Sequence, residues 1–145
     1  MLKVAIVIKW ISHYRKSFYE ELNQRMNNNG VEFRLFYGEP VNDEDRRKQD
    51  WADIHWGKRS TNVPIRVGSR VLLWQPVIHQ IGGVDLVIVE HANKLLLNYL
   101  LLAYRPFTRT KVAFWGHGKN FQSWNSDSIE ERWKRFTLRR ADWWF

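Results

Sequence analysis

The chain has 145 residues, enough for one domain with a substantial core. Its hydrophobic share of 44%, with nine Trp, excludes a disordered chain, and the lack of cysteine excludes a disulfide framework, thiolate metal sites and a cysteine nucleophile. Lys and Arg total 23 against 15 acidic residues, and the resulting formal charge of +8 favours anionic partners such as phosphates, acidic lipids or nucleic acid.

Residues 3–9 (KVAIVIK) have the β-branched, unbroken apolar character of a central strand covered on both faces. The N-terminus runs into this strand without a basic leader or a cleavage site, which predicts a cytoplasmic protein with no signal peptide. Ser17 precedes Glu20 by three residues, a capping-box spacing, and Phe18, Leu22 and Met26 follow at helical intervals. A helix is therefore predicted to end near residues 27–29, with Gly30 as a left-handed cap. Residues 31–37 return to strand character and complete a βαβ unit. Gly38, Pro40 and the mixed-charge cluster at 42–48 then mark a surface excursion, with the cluster read as a solvated helix face.

Residues 49–75 are interrupted by Trp51, Trp56, Gly57, Pro64 and Gly68, and a single strand is expected there. After Gly82-Gly83, residues 84–90 (VDLVIVE) form a buried strand, and residues 93–104 an apolar helix closed by Pro106. Its most apolar stretch, interrupted by Asn98, is about half the length needed to span a bilayer. Residues 111–115 (KVAFW) make a further strand. A final helix has Asp127 and Ser128 as candidate caps, buries Ile129, Trp133 and Phe136, and carries Arg132, Arg135 and Arg139 on another face. That basic stripe reads by default as solvated, with a membrane-surface or nucleic-acid patch as the alternative. Residues 142–145 begin a sixth strand, and an ending on aromatic residues in mid-strand reads as a truncation.

Strands alternating with helices predict an α/β fold, a Rossmann-like doubly wound parallel sheet with helices on both faces. Ligands of such sheets gather at the loops leaving the carboxyl ends of the strands. The loop after residues 111–115 reads Gly116-His117-Gly118-Lys119-Asn120, an imidazole between two glycines that let a substrate approach the backbone. A turn-capping histidine is the plainer alternative. After residues 84–90, Glu90 and His91 reach the same rim, with Asn93 as a helix cap and Glu90 as half of an ion pair on the structural reading. The loop at 10–16 lacks the glycines of a dinucleotide fingerprint, and its Arg15 and Lys16 either hold a phosphate at a helix N-terminus or are solvated. His13, His55 and His79 read as structural or exposed, and no residue set suggests a bound metal.

The order of KVAIVIK, YRKSFYEEL, VDLVIVEHANKLLLNYLLL, AFWGHG and RRADWWF resembles the N-terminal domain of the family-four, GT-B type glycosyltransferases over nearly the whole chain. The resemblance implies one half of a GT-B architecture: residues 1–145 as the acceptor-side domain, with a donor-binding C-terminal domain absent. It implies a retaining sugar transfer from a nucleotide-sugar donor, bound mainly by that other domain, to a glycan or lipid-linked acceptor, with no cofactor or metal. His117 matches the family's histidine that reaches the reacting sugar or acceptor. Tyr14 and Arg15 fall in the loop lining the acceptor side, Glu90 and His91 on the rim, and Gly116, Gly118, Lys119 and Asn120 around the histidine. The glycine pair that many members carry after the first strand is replaced by Ser12-His13-Tyr14-Arg15, and the family's paired glutamates have no counterpart here. The fragment alone is expected to be inactive.

The implied partners are the acceptor, the chain's own C-terminal domain and the anionic inner face of a membrane, with nucleic acid disfavoured. The alternative is a stand-alone α/β module binding nucleic acid or another polyanion. An unrelated α/β enzyme working through His117 and Glu90 on a phosphorylated small molecule is the third reading.

Overall fold

The computed structural model describes residues 1–41, 51–116 and 129–145. The elements are β1 (Lys3–Ile8), α1 (Lys16–Asn28), β2 (Glu32–Tyr37), β3 (Lys58–Arg59), β4 (Val63–Val67), β5 (Arg70–Trp74), β6 (Leu86–Glu90), α2 (Leu96–Tyr104), β7 (Lys111–Trp115), α3 (Ile129–Leu138) and β8 (Trp143–Trp144). Six strands form one sheet in the order β3-β2-β1-β6-β7-β8, and every pairing in it is parallel. The chain builds outward from β1 on one side, returns, and builds outward from β1 on the other, so the order reverses between β1 and β6. That is the strand order of a Rossmann-like fold.

Alternation along the strands divides the core between the two faces. Val4, Ile6 and Ile8 of β1 pack with Tyr19 and Leu22 of α1, together with Ile54 and Ala52. Ala5 and Val7 face the other way and join Leu97 and Leu101 of α2, with Val77, Ile81 and Leu138. Helices cover both faces, as the sequence pattern predicts, because β1 and β6 are apolar at successive positions and demand cover on each side.

Several boundaries differ from the sequence reading. Ser17 does not cap α1: a 3-10 turn at His13–Arg15, closed by Arg15 N–H donating to Ser12 O at 2.9 Å, leads directly into the helix at Lys16. Glu20, freed from a capping box, accepts instead from the Trp56 indole at 2.9 Å. Gly30 does adopt the left-handed conformation, at φ 70°. Asn93 does not start α2, because Leu95 is held extended by a bridge to Leu73, and helical geometry begins only at Leu96.

Where one strand was expected in the middle of the chain there are three. β3 is too short to leave a periodic signal, and β4 contains Pro64, which an edge strand tolerates because an edge strand's outward N–H groups need no partner. β4 and β5 form a separate antiparallel hairpin turning at Gly68, whose φ is 61°. Trp133 and Phe136 are not core: they are 47% and 43% exposed, because α3 turns Thr137 and Leu138 toward the sheet. The expected caps Asp127 and Ser128, the side chain of Ile129 and the charged cluster at 42–48 lie outside the described residues. Among the described residues no helix is long and apolar enough to cross a membrane.

Candidate functional site

The reversal of strand order places the carboxyl ends of β1 and β6 side by side, and the side chains leaving them define the candidate site. Lys9, the residue after β1, pairs with Glu90, the last of β6, at 2.7 Å between Nζ and Oε1. The pair is half-buried, so it is less screened than a surface pair and fixes the two strand ends against each other. The Lys9 ammonium also lies 4.8 Å from the centre of the Trp10 ring, and Lys94 approaches the same ring at 5.9 Å. Two cations thus share one indole at the reversal point.

Tyr19 of α1 lies close to this pair, fully buried, its hydroxyl without a hydrogen-bond partner in good geometry among the described residues. Burial pushes the phenol up to about 12, with the Arg15 cation pulling down and the Glu90 charge adding to the rise. Tyr19 therefore stays neutral throughout the physiological range and serves as a packing group beneath the rim.

Three buried side-chain amides tie the rim together. Asn62 donates to Lys9 O at 2.8 Å and to Glu39 O at 2.7 Å, Gln75 to Ile8 O at 2.9 Å, and Asn98 to Glu90 O at 2.9 Å. Strand-end carbonyls thereby gain side-chain donors, Lys9 O and Glu90 O in addition to the backbone N–H groups of Gly38 at 2.9 Å and Ala92 at 3.0 Å. The Asn62 carboxamide also explains Gly38, where a Cβ would overlap it. Asn98, the break in the apolar helix, is thus a fixture of the site. Gln75→Leu should lower stability by about 1–3 kcal/mol, since the Ile8 carbonyl loses its partner. Urea unfolding of the variant measures this, and a midpoint equal to the parent's would show that the amide carries no weight.

The predicted site residues are not all brought together. Glu90 stands at the reversal point but is committed to Lys9, as its ion-pair reading had it. The His91 imidazole turns toward α3: Nε2 is 3.2 Å from Thr137 Oγ1, and the ring lies 4.7 Å from Phe114. Gly116 sits beside it, where an added Cβ would be in ordinary contact with His91 Cβ at 3.4 Å. His117, Gly118, Lys119 and Asn120 lie outside the described residues.

Tyr14 is 70% exposed, with the half-buried Arg15 guanidinium 5.4 Å from its ring. It lines a groove of about 850 Å³ on the outer side of α1 with His13, His55, Trp56 and Glu20. His91 lines a different groove, of about 390 Å³, with Arg70, Asn93, Lys94 and Lys134. Tyr14 and His91 therefore line separate grooves. The larger groove flanks a helix, whereas the smaller one adjoins the strand ends where such sheets hold ligands, and the latter is the better candidate.

Lys9, Trp10, Tyr19 and Lys94 were not singled out from sequence. A lysine immediately following a wholly apolar strand was the available signal for Lys9. Nothing local marks Lys94, which reaches Trp10 only through the fold. Chemically, the rim offers cations and an indole face, the groups that hold a phosphorylated or polyhydroxylated ligand. No protein-family model, curated protein or solved structure matches the chain.

Proposed function

We propose that the chain is the acceptor-side half of a nucleotide-sugar-dependent glycosyltransferase that works at the cytoplasmic side of a membrane, with donor binding assigned to a second domain. The observation that carries this reading is the rim between β1 and β6, where Lys9, Trp10 and Lys94 stand in place of a glycine-rich phosphate loop. A glycine-rich turn lets backbone N–H groups clamp a dinucleotide pyrophosphate, and its replacement by WISHYRK leaves no such clamp. An indole face and ammonium groups suit a sugar ring and the phosphate of a lipid-linked acceptor instead. In this reading His117 orients the transferred sugar, with Gly116, Gly118, Lys119 and Asn120 shaping its surroundings. Arg70, Lys94 and Lys134 line the groove that would seat the acceptor, while Tyr14 belongs to the separate groove beside α1.

The division of labour gives a direct test. Titrated against the chain and followed by NMR, sugar phosphates and lipid-linked oligosaccharides should shift Trp10 and Lys94 resonances, while nucleotide sugars should leave them unmoved. Trp10→Ala should weaken acceptor binding about tenfold, the loss of one stacked ring. Tight nucleotide-sugar binding to this chain would overturn the assignment of donor recognition elsewhere. Salt-sensitive binding of single-stranded nucleic acid without any sugar ligand would favour a polyanion-binding module.

A further inference from the structure

The outward face of α3 carries an arrangement that neither the sheet nor the rim accounts for. Arg132, Arg135, Phe136 and Arg139 recur at i, i+3, i+4 and i+7, so they share one face of the helix, and all are exposed. Trp133 and Arg140 flank that face, while Thr137 points inward at 4% exposure. Phe136 and Trp133 stack with centroids 5.1 Å apart and planes 8° from parallel, and the Arg140 guanidinium lies 3.6 Å from the Phe136 ring centre. The Trp133 indole donates to Tyr99 Oη at 3.1 Å, which fixes the stack to α2. Arg105 donates to Arg140 O at 2.8 Å, and two residues beyond it Phe107 stands 85% exposed, extending the apolar surface.

From this we infer that the α3 face is a membrane-docking surface that binds an anionic bilayer, with Trp133, Phe136 and Phe107 entering the headgroup layer and Arg132, Arg139 and Arg140 meeting lipid phosphates. Large apolar groups beside arginines complement a negatively charged interface. A nucleic acid would also meet the arginines, but single-strand binding needs an open ring face for base stacking. Phe136 has little to offer, since its ring is already engaged by the stacked Trp133 indole and by the Arg140 guanidinium. Ring edges presented outward suit acyl chains and headgroups rather than bases. This inference deepens the membrane siting of the proposed function but uses none of its sugar chemistry, so vesicle binding and acceptor binding can fail separately.

The test is sedimentation of the chain with vesicles of equimolar phosphatidylcholine and phosphatidylglycerol in about 0.1 M salt, against vesicles of phosphatidylcholine alone. Binding should be about tenfold stronger or more to the anionic vesicles, and bromine on the upper acyl chain should quench tryptophan fluorescence. The double variants R132E/R139E and W133A/F136A should each lower the partition by about tenfold or more. Circular dichroism and thermal unfolding serve as the folding control, and if the aromatic pair fails it, R132E/R139E and the single variant Phe107→Ala carry the test. Equal binding by a folded R132E/R139E variant, unquenched tryptophan, or capture of a single-stranded RNA without vesicle binding would each overturn the proposal. So would self-association of the chain that the arginine variant abolishes.

Discussion

Phe114→Ala should lower the free energy of unfolding by about 3–5 kcal/mol, the largest loss expected from any single truncation described for this chain. Phe114 is fully buried in β7, where it joins Val7, Phe36, Val89 and Leu97 on the face covered by α2. Removing the ring leaves a cavity that strands paired on both sides cannot close. The effect extends to the rim, because the same ring is the platform for the His91 imidazole at 4.7 Å. Urea unfolding followed by tryptophan fluorescence measures the loss, and the His91 ring resonances should shift in the folded variant. Phe107→Ala, at a position 85% exposed, is the control and should change stability by less than about 0.5 kcal/mol. Similar costs for the two variants would mean that the sheet core is not where the burial places it.

Asp142→Ala is the second large effect, with a loss of about 2–3 kcal/mol. The carboxylate side chain is 8% exposed and accepts from Arg105 Nε at 2.9 Å, Arg105 Nη2 at 2.6 Å and the Val112 N–H at 2.9 Å, with Lys111 Nζ at 3.4 Å. It locks the entry to β8 onto β7, helped by its own N–H donating to Val112 O at 2.7 Å. The partial exposure of Arg105 and Lys111 lets water take over their side of the network, which keeps the cost below that of a fully buried pair.

A pH dependence accompanies the loss. Burial alone would raise the Asp142 pKa, but the Arg105 hydrogen bond, the Val112 N–H and the neighbouring cations together hold it below the ordinary carboxylate value. The unfolded chain therefore takes up a proton at a higher pH than the folded one. Asp142 contributes its full stabilisation above the unfolded value of about 3.9 and loses it as pH falls through the lower folded value. The parent should lose stability faster than Asp142→Asn as the pH is lowered from about 4 to 2. Parallel urea midpoints for the two proteins over that range would remove the electrostatic role.

The strands that build the main sheet were legible wherever burial on both faces leaves an unbroken apolar run. β1, β6 and β7 stand within three residues of where their sequences place them, and the two-sided cover follows from the same pattern. β3 was not legible because a two-residue strand has no period, and β4 because Pro64 counts as a breaker unless the strand is known to be an edge. Trp133 and Phe136 were expected in the core from helical spacing, but spacing gives only a common stripe; which stripe turns inward is decided by the partner surface.

The site was read less completely than the fold. Glu90, His91 and Gly116 do lie at the rim, since their position after a buried strand fixes that much. What each touches is tertiary information: Glu90 turned to Lys9, His91 to Thr137, and Tyr14 to a separate groove. Lys94 and Gln75 gained their places through contacts spanning dozens of residues, which no local pattern encodes.

Asn62, Gln75 and Asn98 come from three separate stretches of chain, yet each clasps the backbone just where a parallel strand runs out. The loops above are thereby denied independent motion, and opening any one of them exposes a polar group sealed below. A ligand arriving there meets a surface whose disorder was already surrendered during folding, so little further ordering is charged to the encounter. Backbone hydrogen exchange at residues 9 and 91 should accordingly be as slow as in the middle of the sheet.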